Sequence, residues 1–388
     1  MDNKNETTTF GSKILYMSSA AGRAPIPLLD RLDSMVVGQR NALQQIVPFI
    51  QTYFAGLGPA NRPAANILLC GNTGLGKTLT VEAIAEVLHG NPKTMLRVDC
   101  GEYQADHEVA RLVGAPPGYL GHRETHPVFT KQRLDSLKSE NCKLSLILFD
   151  EIEKASKALT QMLLGVLDKG VLRLGDSTTV EFQDTMIFLS SNLGARQIND
   201  AMQTGMGFGD NTSGPKGISD SQIKTVIERS VKKHFSVEFF NRMDELCYYY
   251  PFTPENLREI VGLELERLQR HYNDRLGVKT FMLGVGASMF DHILTTGTSA
   301  EYGARDLKRK ISKYITQDIV SLLNDSAIEP GSVVLVDRVG EESRISVLTD
   351  YTELPEGYWF FDKKLSTLPL VMEEEQPAKK SRRTRKTS

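Results

Sequence analysis

Three short clusters of residues have the types and spacing for phosphate chemistry. In Gly71-Asn72-Thr73-Gly74-Leu75-Gly76-Lys77-Thr78 the glycines let successive backbone N–H groups turn inward around an anion. Lys77 supplies a point charge for terminal phosphates, and the Thr78 hydroxyl is suited to Mg²⁺. A chance match in a chain of this length has a probability on the order of one per cent, so accident is a poor account. Asp150-Glu151 closes an apolar run at 144–149. Asp150 is suited to hold Mg²⁺ through water and Glu151 to polarise an attacking water. Alone, such a pair is usually a solvated strand end; with the phosphate loop upstream, catalysis is the better reading. Ser190-Ser191-Asn192 ends the next run, and a neutral amide there can hydrogen-bond a γ-phosphate or the lytic water. Loop capping is the ordinary alternative for such an asparagine. Between the loop and the acidic pair, Gly118-Tyr119-Leu120-Gly121 follows Pro116-Pro117, and an aromatic between glycines suits a mobile finger better than a core position.

The elements that must position these residues are legible. Residues 65–70, 94–100, 144–149, 185–190 and 245–250 read as strands. Near-continuous apolar character in the third and fourth marks a parallel sheet buried on both faces. Helices are expected over 77–89, stopping at Gly90, and over 156–168, stopping before Gly170. The pattern changes after Pro251. Thr253-Pro254-Glu255 opens a long helix with Leu257, Ile260, Val261, Leu265, Leu268 and Tyr272 on one face. A further helix is expected from Gly303 to about Asn324, with short strands at 279–283, 332–338 and 344–348. The expected organisation is a flexible segment at 1–25, a large α/β domain at 26–250, a mostly helical small domain with a small sheet at 251–350, and an extension at 351–388 ending in a basic disordered tail.

Composition narrows the function classes. A hydrophobic fraction of 40% with 24% charged residues is that of an ordinary globular chain. A net charge of −2 gives no global field toward nucleic acid or membrane. No apolar run approaches the length of a membrane span, and the first residues lack the pattern of a signal or transit peptide. Cys70, Cys100, Cys142 and Cys247 show no metal-like spacing and are expected as buried, reduced thiols. A cytoplasmic location is the resulting expectation. The basic run at 379–386 reads as a solvated tail, or as a salt-sensitive anchor for nucleic acid.

Together these pieces resemble the Clp family of AAA+ protein unfoldases and disaggregases, most of all the second ATPase module of its double-ring members. The matching segments run in family order. They are Val36-Val37-Gly38-Gln39, the phosphate loop, Gly114-Ala115-Pro116-Pro117-Gly118-Tyr119-Leu120-Gly121, and Phe149-Asp150-Glu151-Ile152-Glu153-Lys154-Ala155. Then come Ser191-Asn192-Leu193-Gly194, Phe239-Phe240-Asn241-Arg242-Met243-Asp244-Glu245 and Tyr302-Gly303-Ala304-Arg305. The resemblance implies an AAA+ P-loop NTPase fold with a small lid domain, ATP and Mg²⁺ as cofactors, and a homo-hexameric ring. It implies that Val36 and Val37 lie against adenine, that Arg242 is an arginine finger for a neighbouring subunit, and that Arg305 is a second nucleotide sensor. It also implies a pore loop, Gly118 to Gly121, that pulls polypeptide. Met206-Gly207-Phe208 resembles the tripeptide by which family members dock a peptidase ring, with an atypical first residue. The expected activity is ATP-driven protein unfolding or remodelling; the alternative is a nucleic-acid-associated AAA+ switch anchored by the basic tail.

Overall fold

Five strands of the amino-terminal half pair side by side, and the three central ones bury both of their faces. The computed structural model describes residues 16–17, 26–114, 127–195, 197–198, 220–297, 303–340, 342–349, 354–361 and 383–386. Contacts divide the chain into two units, Met1–Pro251 and Phe252–Ser388.

In the first unit the strands are β1 (Ala65–Cys70), β2 (Leu96–Asp99), β3 (Ser145–Asp150), β4 (Thr185–Ser191) and β5 (Glu245–Tyr248). They lie in the order β2-β3-β4-β1-β5, and every pairing is parallel. β1, β3 and β4 are buried at every residue, as their unbroken apolar character requires. Each fully buried side chain, such as Leu146, Ile147 or Leu148, contributes about 2 kcal/mol of burial. Helices α1 (Leu28–Asp33), α2 (Arg40–Phe54), α3 (Lys77–His89), α4 (Lys157–Lys169) and α5 (Asp220–His234) accompany the sheet. α4 starts where the Ser156 hydroxyl accepts from Leu159 N–H at 3.2 Å and stops at Gly170, whose φ of +60° suits glycine. Its buried residues Leu159, Leu163, Val166 and Leu167 follow the helical period.

The strand order decides where chemistry can sit. After β1 the chain crosses to the far edge, builds β2, β3 and β4 inward, and then places β5 on the other side of β1. The carboxyl ends of β3, β4 and β1 are therefore neighbours, the position at which open α/β sheets bind ligands.

The second unit has the long helix α6 (Pro254–Leu276), opened by a capping box from Thr253, and then β6 (Met282–Gly286) and α7 (Ala287–Gly297). α8 (Ala304–Ile311) runs through a π turn at Ser312–Thr316 into α9 (Gln317–Asn324). β7 (Val333–Val339), β8 (Glu342–Leu348), β9 (Tyr358–Phe360) and β10 (Arg383–Lys386) complete a sheet in the order β9-β6-β7-β8-β10.

Two details depart from the sequence expectations. The strand expected at 279–283 lies at Met282–Gly286, because a 3₁₀ turn at Gly277–Lys279 finishes the long helix. Its glycines are tolerated for close packing: a Cβ on Gly284 would sit 2.6 Å from the Phe360 ring. Arg383–Lys386, expected to carry no regular structure, pairs antiparallel with β8, which gives partners to the open backbone groups of a sheet edge. All four cysteines are free and buried, and burial pushes Cys142 up to about 11 and Cys70 up to about 12. Among the described residues no helix is long and apolar enough to cross a membrane.

Candidate active site

The phosphate loop leaves β1 at Cys70 and enters α3 at Lys77. Gly71 is fixed by close approach: a Cβ there would lie 2.8 Å from both Tyr249 Cβ and Tyr249 O. Tyr249 is itself held, its N–H donating to Cys70 O at 2.8 Å and its hydroxyl to Thr80 Oγ1 at 2.8 Å. Gly76 takes φ +99° at the start of α3, so the helix amino end opens onto the loop.

Lys77 is buried, and all three of its ammonium hydrogens have an acceptor nearby. Nζ lies 2.6 Å from Gly71 O, 2.9 Å from Asn72 O and 2.7 Å from Asn192 Oδ1. The last contact joins the ends of β1 and β4, whose register pairs Cys70 with Ser191.

Asp150 ends β3 and is also buried. Its Oδ1 accepts from the Ser190 hydroxyl on β4, and the same hydroxyl accepts from Glu151 N–H at 3.0 Å. Asp150 Oδ2 faces Thr78 Oγ1 at 3.5 Å and the Arg97 guanidinium at 2.5 Å. Glu151 follows in a left-handed conformation, φ +56° and ψ +50°, costly for a residue with a Cβ. That backbone lifts the carboxylate out of the strand line toward β4. Oε1 lies 3.4 Å from Asn192 Nδ2, and Oε2 pairs with Lys154 Nζ at 2.5 Å, which raises the Lys154 pKa through that hydrogen bond. Asn192 thus touches Lys77 with its carbonyl oxygen and Glu151 with its amide. Its own backbone N–H donates to Glu153 Oε1 at 3.1 Å.

Val36 and Val37 are buried beside the loop, Val36 Cγ1 lying 3.7 Å from where a Gly76 Cβ would be. Gln39 clasps this segment to the chain after β5: Nε2 donates to Tyr250 O at 2.9 Å, and Oε1 accepts from Tyr250 N–H at 3.2 Å.

Arg242 is not with this group. Its carbonyl accepts from Asn66 Nδ2 at 3.1 Å, which places it at the amino end of β1. The phosphate loop lies at the other end of that strand, about 13 Å away at the usual rise for four residues. Arg242 Nε is 3.2 Å from Asp168 Oδ1, an ion-pair contact that is not aligned as a hydrogen bond. Arg305 belongs to the second unit, where it is exposed in the first turn of α8 after Gly303 at φ +51°. A cation there opposes the helix dipole, so the position does not serve the helix. Gly118, Tyr119, Leu120 and Gly121 lie outside the described residues, as do Met206, Gly207, Phe208 and Tyr302. The chain leaves at Gly114 and returns at Pro127 to the same place, with Val128 N–H donating to Leu112 O at 3.0 Å.

Sequence reasoning missed four parts of this site. Arg97, Ser190, Lys154 and Glu153 all bear on the acidic pair or Asn192, yet all four sit inside the strands or motifs named above without a role. Strand register brings Arg97 and Ser190 to the acidic pair, since it pairs Asp99 with Asp150 and Phe149 with Leu189, while Lys154 reaches Glu151 from three residues along the chain.

Comparison with known proteins fits this geometry. Residues 62–246 match the AAA domain (Cdc48 subfamily) model, and residues 252–336 match the C-terminal, D2-small domain of ClpB protein. The chain belongs to the Clp family of AAA+ ATPases. Clp relatives include the ATP-dependent Clp protease ATP-binding subunit ClpC of Staphylococcus aureus, 36% identical over 332 residues, which are 84% of this chain and 38% of that protein. ClpC of Staphylococcus epidermidis is 35% identical over 320 residues, 82% of this chain and 37% of that protein. This Clp chain therefore spans less than two-fifths of the length of these relatives. Among solved structures, a closed-state cryo-EM reconstruction of Hsp104 with ATPγS and FITC casein matches with a TM-score of 0.70 and 26% identity. That match covers 87% of this chain and 52% of the Hsp104 chain.

Proposed function

We propose that this chain hydrolyses ATP within a homo-hexameric ring and uses the energy to unfold or remodel polypeptides drawn through a central pore. The observation that carries the reading is the junction of Lys77, Asn192, Glu151 and Asp150 at the ends of three adjacent strands. Glu151 accepts the proton of the attacking water, and Asn192 orients that water against the γ-phosphate. Lys77 turns from the loop carbonyls to the phosphate oxygens, where its charge counts most. Mg²⁺ fits the donor set, hard oxygens of Thr78 and Asp150 facing one another, and when bound it neutralises phosphate charge. Val36 and Val37 line the base. Arg242 serves a neighbouring subunit, and Arg305 is the second nucleotide sensor.

Tyr119 is the substrate grip. An aromatic side chain offers a large contact at low entropy cost to many sequences. The Hsp104 relative, reconstructed with ATPγS and casein, supports nucleotide and polypeptide as ligands. A peptidase ring reached through Met206-Gly207-Phe208, and a cytoplasmic location, belong to the same proposal. The test is capture by Glu151→Gln with ATP. Protein clients that are lost in Tyr119→Ala support the reading, whereas captured nucleic acid, insensitive to Tyr119→Ala, points to the switch anchored by the basic tail.

A further inference from the structure

We propose that Arg97 is a gate on the metal site, competing with the divalent cation for Asp150 Oδ2. The inference rests on the nucleotide-site reading above and adds a residue to it.

Asp150 has two carboxylate oxygens with different duties. Oδ1 is committed to the Ser190 hydroxyl, which also receives the Glu151 N–H, so releasing it would disturb both acidic residues. Oδ2 alone faces Thr78 Oγ1, the other hard oxygen of the proposed metal site. Arg97 Nη2 lies on that same Oδ2 at 2.5 Å. A guanidinium and a divalent cation cannot share one oxygen at close range without strong repulsion. The Arg97 side chain is 48% exposed while that of Asp150 is 10% exposed. The carboxylate is therefore the fixed member of the pair, and the arginine has water to swing into. Its base is the edge strand β2, which among the described strands pairs with β3 alone.

The pair has two consequences of opposite sign. Without a metal, Arg97 compensates a buried carboxylate and supports the fold. With a metal, the ion pair must be given up, so Arg97 weakens the metal's hold. Arg97 is a positioning residue that acts through Asp150.

The experiment titrates Mg²⁺ against the full-length chain with a fluorescent ADP analogue, which needs no hydrolysis. In Arg97→Ala and Arg97→Gln the Mg²⁺ concentration giving half the maximal nucleotide affinity is expected to fall about fivefold, the size of an ordinary exposed ion pair. Melting in EDTA is expected to drop by about 2–4 °C in the same variants, and the gap to close in saturating Mg²⁺ and ADP. An unchanged or raised Mg²⁺ requirement overturns the proposal and makes Arg97 a permanent brace. Arg97→Gln keeps most of the side-chain stem, so the test survives if Arg97→Ala folds poorly. If the unsubstituted chain binds the analogue without Mg²⁺ dependence, the nucleotide-site reading itself fails, a distinguishable result.

Discussion

The Lys77 ammonium donates to Asn192 Oδ1 at 2.7 Å, tying the first helical residue after the phosphate loop to the end of a neighbouring strand. Because Asn192 also lies 3.4 Å from Glu151, one amide links the Lys77 ammonium to the Glu151 carboxylate. In the proposed mechanism, phosphate that drew Lys77 away would free the amide oxygen to turn toward water.

Asn192→Ala is expected to keep nucleotide affinity within about threefold and to lower turnover by about 10²-fold, the usual cost of losing one oriented donor. Equilibrium binding of a fluorescent nucleotide and steady-state phosphate release separate the two. An equal loss in both would make Asn192 a structural brace for Lys77.

Glu151 carries its carboxylate on a left-handed backbone, φ +56°. Both Glu151→Ala and Glu151→Gly should abolish hydrolysis. The glycine variant should nevertheless be the more stable by about 1 kcal/mol, since only alanine keeps the Cβ that the conformation penalises. Denaturant midpoints of the two variants check this. Equal midpoints would mean that the backbone relaxes once the carboxylate is gone.

Arg242 and Glu151 belong to opposite ends of the sheet, so their defects should complement. Arg242→Ala and Glu151→Gln are each expected to be inactive alone. Mixed in equal amounts they should recover a measurable fraction of ATPase activity, because some interfaces then pair an intact Glu151 with an intact Arg242. No recovery, with mixed assembly demonstrated by pull-down, would remove Arg242 from catalysis.

His89 closes α3 with Nε2 3.0 Å from Leu144 O and Nδ1 3.1 Å from Ser139 Oγ. The carbonyl accepts, so Nε2 carries the proton of a neutral ring. Burial lowers its pKa below the ordinary imidazole value. The unfolded chain then binds the proton more readily than the folded one. Stability is fully present above about pH 6.5 and is lost as pH falls toward the depressed folded value. His89→Gln should flatten that part of the stability profile, as measured by urea midpoints between pH 5 and 8.

Much of the fold could be read from the chain because its signals are local. The unbroken apolar runs around Leu68, Leu148 and Phe188 specify buried parallel strands, and Gly90 and Gly170 mark helix ends. The phosphate loop, Asp150, Glu151 and Asn192 were legible for the same reason: each follows a strand. Arg97 and Ser190 were not, because their importance comes from register between strands far apart in sequence. The strand at Met282–Gly286 was blurred by two glycines that make sense only once Phe360 and Asp337 are seen packed against them. Arg383–Lys386 gave no strand signal, since what orders its backbone is the open edge of β8.

The position of Arg242 at the amino end of β1 bears on the ring proposed above. A protomer carries the phosphate loop at one end of its sheet and Arg242 at the other, the head-to-tail layout that a closed ring without symmetric contacts requires. In the proposed ring, turnover per chain would depend on how much of the chain is present, so dilution alone would lower it and expression level would be a form of control that needs no inhibitor.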